Sequence, residues 1–100
     1  MTLEELNDML ETNKKIHEDY VTAQREKLST MNATCKCIKT LNNYLNCIAP
    51  NSFYTEKSQL LDLYTKIDNQ RDETLANISK RNLEINKIEV EIVKLRADYP

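Results

Sequence analysis

The sequence contains no glycine and no tryptophan, and only one phenylalanine and one histidine. It has two prolines, Pro50 and the terminal Pro100, so Pro50 is the only interior one. Each scarcity excludes something. Without glycine, the tight turns that join β-hairpins lose their commonest residue, which argues against a sheet. The phosphate-cradling glycine loops of nucleotide enzymes are excluded outright. Aromatic residues make up 6% of the chain, too few to fill a compact core. No apolar run approaches the roughly 20 residues that span a bilayer. The formal net charge of −2 gives no general attraction toward nucleic acid or anionic lipid.

What is present is helical periodicity. In the first half an apolar stripe runs through Leu3, Leu6, Leu10, Ile16, Tyr20 and Ala23. It continues through Leu28, Met31, Cys35, Ile38, Leu41, Leu45 and Ile48, mostly in steps of three and four. In the second half Leu60, Tyr64, Ile67, Arg71, Thr74 and Ile78 alternate strictly between steps of four and three. Arg81, Ile85, Ile88, Ile92, Leu95 and Tyr99 carry the same rhythm onward, a heptad seam.

Pro50 divides these halves. It cannot donate a backbone hydrogen bond, and its ring disfavours helix at Ala49. Ser52 or Thr55 is expected to cap the next helix, with Glu56 suiting its positive end. The expected fold is all-α: a long antiparallel helical hairpin or coiled coil. One helix covers about 2–48, a turn about 49–54, and a second helix about 55–98, each helix on the order of 65–70 Å long. Residues 1–100 read as a single elongated helical domain. Facing residues of an antiparallel pair have a constant sum of positions. Leu45 with Leu60, Leu41 with Tyr64, Ile38 with Ile67, Leu10 with Leu95 and Leu6 with Tyr99 meet that condition, and Ile16 with Ile88 nearly does. The polar run DNQRDET at 68–74 leaves open a second break and a third helix; it puts Arg71 opposite Thr34 or Cys35, Thr74 opposite Met31 and Arg81 opposite Gln24.

Charge is distributed unevenly. Residues 4–19 hold Glu4, Glu5, Asp8, Glu11, Glu18 and Asp19, whereas residues 27–55 hold no carboxylate. Within that acid-free window Cys37, Leu41, Tyr44 and Ile48 form a second apolar line beside Met31, Ile38 and Leu45. A helix apolar on two lines packs on more than one side, and a hairpin mate covers only one. These residues, together with Ile78, Ile85, Ile88, Ile92 and Leu95 of the second helix, are the expected contacts with other chains. Ile78, Ile85 and Ile92 at a with Ile88 and Leu95 at d also suit a parallel coiled coil with another chain.

Chemistry has little to stand on. His17 reads as a surface or seam-edge residue, and no nucleophile has a base beside it. Cys35 and Cys37 point about 200° apart on a helix, which suits joint metal ligation poorly. Three cysteines, Cys35, Cys37 and Cys47, read as reduced thiols of a cytoplasmic or nuclear protein. No catalytic, cofactor or metal residues are expected. In size and build the chain resembles the small all-helical subunits of kinetochore, spindle, vesicle-tethering and transcription-mediator assemblies; the resemblance is architectural and carries no residues over. It implies a non-enzymatic scaffold subunit whose partners are other helical chains, in homo- or hetero-oligomers. A monomeric adaptor offering a groove to a partner peptide or helix is the alternative.

Overall fold

The structure, a computed structural model, describes residues 1–98. It is an all-α helical hairpin of α1, Leu3–Ile48, and α2, Tyr54–Asp98. The sequence starts α1 deliberately. Thr2 accepts a hydrogen bond on Oγ1 from the Glu5 N–H at 3.1 Å, and Glu4 and Glu5 complement the positive helix end. The run 68–74 does not break α2, so the three-helix alternative is not realised.

The turn uses a different device from the expected serine or threonine cap. Thr55 lies inside α2, and the chain enters that helix through Phe53, at φ 59°. The Phe53 carbonyl accepts the first helical bond, from the Lys57 N–H at 2.9 Å. The last turn of α1 holds no basic residue to meet its free carbonyls. Lys57 supplies that charge from α2, donating through Nζ to the Ala49 carbonyl at 2.7 Å and the Pro50 carbonyl at 3.5 Å. A cation there satisfies orphan acceptors and opposes the negative end of the helix.

The chain divides into two compact units. One comprises Glu26–Leu75; the other comprises Met1–Arg25 with the stretch from Ala76 onward. In the first of these, Met31, Cys35 and Ile38 of α1 are buried, with Leu28, Leu45, Leu60, Tyr64 and Ile67 half-buried around them. Thr74 is buried at 4% exposure and donates its hydroxyl to the Gln70 carbonyl at 2.8 Å, so the polar seam position is satisfied within its own helix. Lys39 lies over the Tyr64 ring at 5.9 Å and Arg71 donates to Asn32 Oδ1 at 3.1 Å, so the two helices run antiparallel here. Leu41 does not face Tyr64 as expected but is 47% exposed.

In the other unit Val21, Ile78, Ile88 and Ile92 are buried, with Leu10, Ile85 and Leu95 half-buried. Ile16, expected opposite Ile88, is 59% exposed. The positions it was expected to fill are taken by Lys14 and His17, both half-buried. Lys14 reaches Glu89 at 3.5 Å and Arg96 reaches Glu11 at 3.7 Å. Arg81 meets His17 and Tyr20 rather than Gln24. Its guanidinium donates to His17 Nδ1 at 3.0 Å and sits 4.2 Å from the Tyr20 ring centre. The expected pairing of Leu6 with Tyr99 lies partly outside the described residues; Leu6 itself is exposed.

Most buried and half-buried residues of α1 therefore follow Asn7, Leu10, Lys14, His17, Val21 and Gln24, then Leu28, Met31, Cys35, Ile38, Asn42 and Leu45, with Glu11, Tyr20 and Thr34 half-buried beside them. The named positions alternate between steps of three and four, the heptad seam facing α2. Its first half is largely polar, and the Oδ1 of Asn7 is buried there with no hydrogen-bond partner among the described residues.

Two stability measurements check this picture. Phe53→Gly should stabilise the chain by about 1 kcal/mol in urea denaturation, because a bulky residue at positive φ is strained and Phe53 is exposed; Phe53→Val should destabilise it. Asn7→Leu should likewise raise stability by about 1 kcal/mol, the cost of a buried acceptor without a partner. A fall in the thermal midpoint would instead assign Asn7 a hydrogen bond.

Candidate partner-binding face

Rotating α1 by one residue, about 100°, moves from the seam to a second line with the same heptad rhythm. In the unit Glu26–Leu75 that line holds Cys37, Leu41, Tyr44 and Ile48, all exposed. Tyr44 and Ile48, in the last turns of α1, are each 59% exposed, a high value for such side chains. Leu41, Tyr44 and Cys37 form an apolar groove, flanked by Lys36 and Thr40. In the other unit the line holds Leu6, Met9 and Ile16, again exposed, with Tyr20 half-buried under Arg81.

Between these residues in sequence the line carries Ala23, the exposed Lys27, Thr30 and Thr34. Both hydroxyls fold back on their own helix, Thr30 Oγ1 donating to the Glu26 carbonyl at 3.3 Å and Thr34 Oγ1 to the Thr30 carbonyl at 2.9 Å. Thr40, beside the groove, does the same to the Lys36 carbonyl at 2.9 Å. The charges near the groove are Lys36 and Lys39; there is no carboxylate on α1 beyond Glu26.

The expected contact residues thus separate into two sets. Met31, Ile38 and Leu45 lie in the seam of their own unit. Ile78, Ile85, Ile88, Ile92 and Leu95 lie in the seam of the other, so α2 turns them toward α1. Cys37, Leu41, Tyr44 and Ile48 face away from α2. Leu6, Met9 and Ile16 were missed as members of the exposed line. Their signal was present: they keep the same heptad phase as Tyr44 and Ile48.

Other features carry less. A cavity of 220 Å³ lies against Ile38, Asn42, Leu60, Leu61 and Tyr64. It is smaller than the ~300–1,000 Å³ typical of small-molecule sites. Arg71 is held at the seam edge by Asp68, whose hydrogen bond raises the guanidinium pKa above its ordinary value. This keeps an already permanent charge in place and adds no acid–base chemistry. Cys35 is buried whereas Cys37 and Cys47 are exposed. Among the described residues no three His, Cys, Asp or Glu side chains gather as a metal site, and no helix is long and apolar enough to cross a membrane. No known protein family, curated protein or solved structure matches the chain.

Substitutions separate seam from exposed line. Ile38→Asp should unfold the chain or cost more than about 3 kcal/mol, since it buries an unpaired charge. Tyr44→Glu in dilute solution should change stability by no more than about 0.5 kcal/mol. Circular dichroism during urea titration measures both, and equal losses would place Tyr44 in the internal core.

Proposed function

We propose that the chain is a non-enzymatic structural subunit that docks through the second line of α1 onto another helical chain inside the cell. One observation carries this reading. Among the described residues only seven hydrophobic side chains are buried, whereas sixteen large ones are exposed. Exposed apolar residues scattered singly would need no account. Here Leu41, Tyr44 and Ile48 fall in heptad phase on one face, which is the arrangement that helix-in-groove and coiled-coil contacts use. Docking would bury apolar side chains that the hairpin mate leaves to water, and it would stabilise the folded chain by mass action. The mechanism is positional: two helices of fixed register present a face and hold what binds it.

The adaptor alternative would require a chain that is stable alone and offers its groove to a short peptide. The groove beside Cys37, Leu41 and Tyr44 suits a helix better, because its residues recur at helical spacing and no strand edge is available among the described residues.

The full-length chain, tagged and purified, tests the reading by whether it associates with itself or with co-expressed helical chains. Leu41→Glu and Tyr44→Glu should each lower that association more than a thousandfold while leaving helicity intact, the effect of an unpaired charge buried at a contact. Association unchanged in both variants would move the interface elsewhere. A parent chain that stays monomeric and binds no helical chain would remove the reading.

A further inference from the structure

We infer that the protein dimerises through α2, with the outer face of its stretch Ala76 to Ala97 laid parallel against the same face of a second copy. This goes beyond the docking face on α1 and does not depend on it.

The face lies within one compact unit, the one that holds the stretch from Ala76 onward. There α2 turns Ile78, Ile85, Ile88 and Ile92 toward α1. On the opposite side of the same helix a second heptad line runs through Leu83, Asn86, Val90 and Val93, with Ala76 and Ser79 before it and Ala97 after it. All of these are exposed, and Leu83, Val90 and Val93 are each more than half exposed. Asn86, Val90 and Val93 line a shallow groove with Glu89 and Lys94. Followed toward the turn, the same phase meets Asp72 and Asn69, so the apolar line ends at Ala76.

The charges beside the line select the occupant and its direction. One flank is a column of lysines, Lys80, Lys87 and Lys94; the other holds Asn82, Glu89 and Arg96. In a parallel pair the two flanks face each other, each residue of the second meeting one five positions on in the first. Asn82 then meets Lys87 of the second copy, and Glu89 meets Lys94. The Glu89 pair forms twice around the two-fold axis, as an isologous interface requires. Lys94 takes part in no ion pair among the described residues. Glu89 is 3.5 Å from Lys14, which it shares with Glu18, and its side chain is 51% exposed and open to a second cation. An antiparallel pair would set each flank on itself, lysine column against lysine column, which like charges oppose.

Asn86 selects the same direction. In a parallel pair each residue of the line meets its own twin. Two facing Asn86 amides can donate to and accept from each other, and the Ser79 hydroxyls can do the same. In an antiparallel pair Asn86 instead meets Ala76, Leu83, Val90 or Ala97, which buries its amide against hydrocarbon. A polar pair within an apolar line fixes the register in which the helices associate.

The line covers three heptads, so sedimentation equilibrium of the full-length parent should show a weak dimer, with Kd on the order of 10–100 μM. Val90→Glu should raise that Kd about a hundredfold. Its circular dichroism should be unchanged, because Val90 is exposed in the single chain. Glu89→Lys and Lys94→Glu should each weaken the dimer about tenfold, and the double exchange should recover most of that loss. Cross-linking reads the direction. Val93→Cys in a Cys37→Ser, Cys47→Ser background should form a covalent dimer under mild oxidation, since the two positions 93 meet only in a parallel pair. Glu91→Cys, exposed but off the line, should not. Leu41→Glu should leave this dimer intact. A parent that stays monomeric at about 1 mM would overturn the inference. So would a dimer indifferent to Val90→Glu, or one that fails to cross-link at position 93. A dimer lost with Leu41→Glu would belong to α1: the docking face there would stand, and the contact through α2 would fall.

Discussion

A heptad position must be filled, and in this chain many of those facing the hairpin mate are filled by polar side chains. Asn7, Lys14, His17, Gln24 and Asn42 stand in the seam of α1, and Lys57, Arg71, Thr74 and Arg81 stand in that of α2. Each has to be accommodated by extension toward solvent or by a specific partner, since an unpaired polar group in the seam costs free energy. Most are accommodated. Lys14 has Glu89, His17 has Arg81, Arg71 has Asp68 and Asn32, and Thr74 has its own helix. These contacts fix which residues face each other more than they stabilise the fold, because partly exposed pairs contribute little. The apolar side chains that an ordinary seam would hold have been placed elsewhere on α1, and the exposed face follows from that placement.

The hairpin itself was legible from residue types. Pro50 stands between two periodic halves, and no glycine offers another place to turn. The second-half seam was legible residue by residue, because Ile78, Ile85, Ile88 and Ile92 share one phase with no competing line of equal strength. The first half was not. There most of the stripe, Leu6, Ile16, Tyr20 and Ala23, is selected by hydrophobic periodicity, while of the seam only Leu10 and Val21 are apolar. Those four stripe residues belong to the outer line, while the seam at the same level is Asn7, Lys14, His17, Val21 and Gln24. The apolar stripe traced from Leu3 to Ile48 therefore passes between the two lines more than once, leaving the outer line for the seam at Leu28 and returning to the outer line at Leu41 and Ile48. Period alone cannot detect these crossings, since both lines obey it; strict phase from Leu28 back to Asn7 would have. The face at Cys37, Leu41, Tyr44 and Ile48 was legible because there the two lines run side by side, both apolar.

The turn illustrates a different limit. Its position was dictated by Pro50, but its chemistry depends on a residue seven positions on. Lys57 reads in sequence as an ordinary helix-surface lysine beside Glu56. Only the reversal of the chain brings its ammonium to the Ala49 carbonyl. Local sequence rules describe caps supplied by neighbours, and this cap is supplied by the helix that follows. The left-handed Phe53 is equally hidden, since such a conformation is expected of glycine or asparagine rather than a phenylalanine.

The threonines of α1 bear on how this surface is wetted. A hydropathy scale counts Thr30, Thr34 and Thr40 as polar, and water would be expected to bind their hydroxyls. With the hydroxyl hydrogen committed to a carbonyl one turn back, the γ-methyl is the part of the side chain left to meet solvent or a partner. Water around such a residue is organised much as it is around valine. The strip from Thr30 to Leu41 is thus more hydrocarbon-like than its letters suggest, and removing water from it releases solvent without stripping those hydroxyl hydrogen bonds. Its contribution to the heat capacity of association should resemble that of an aliphatic surface.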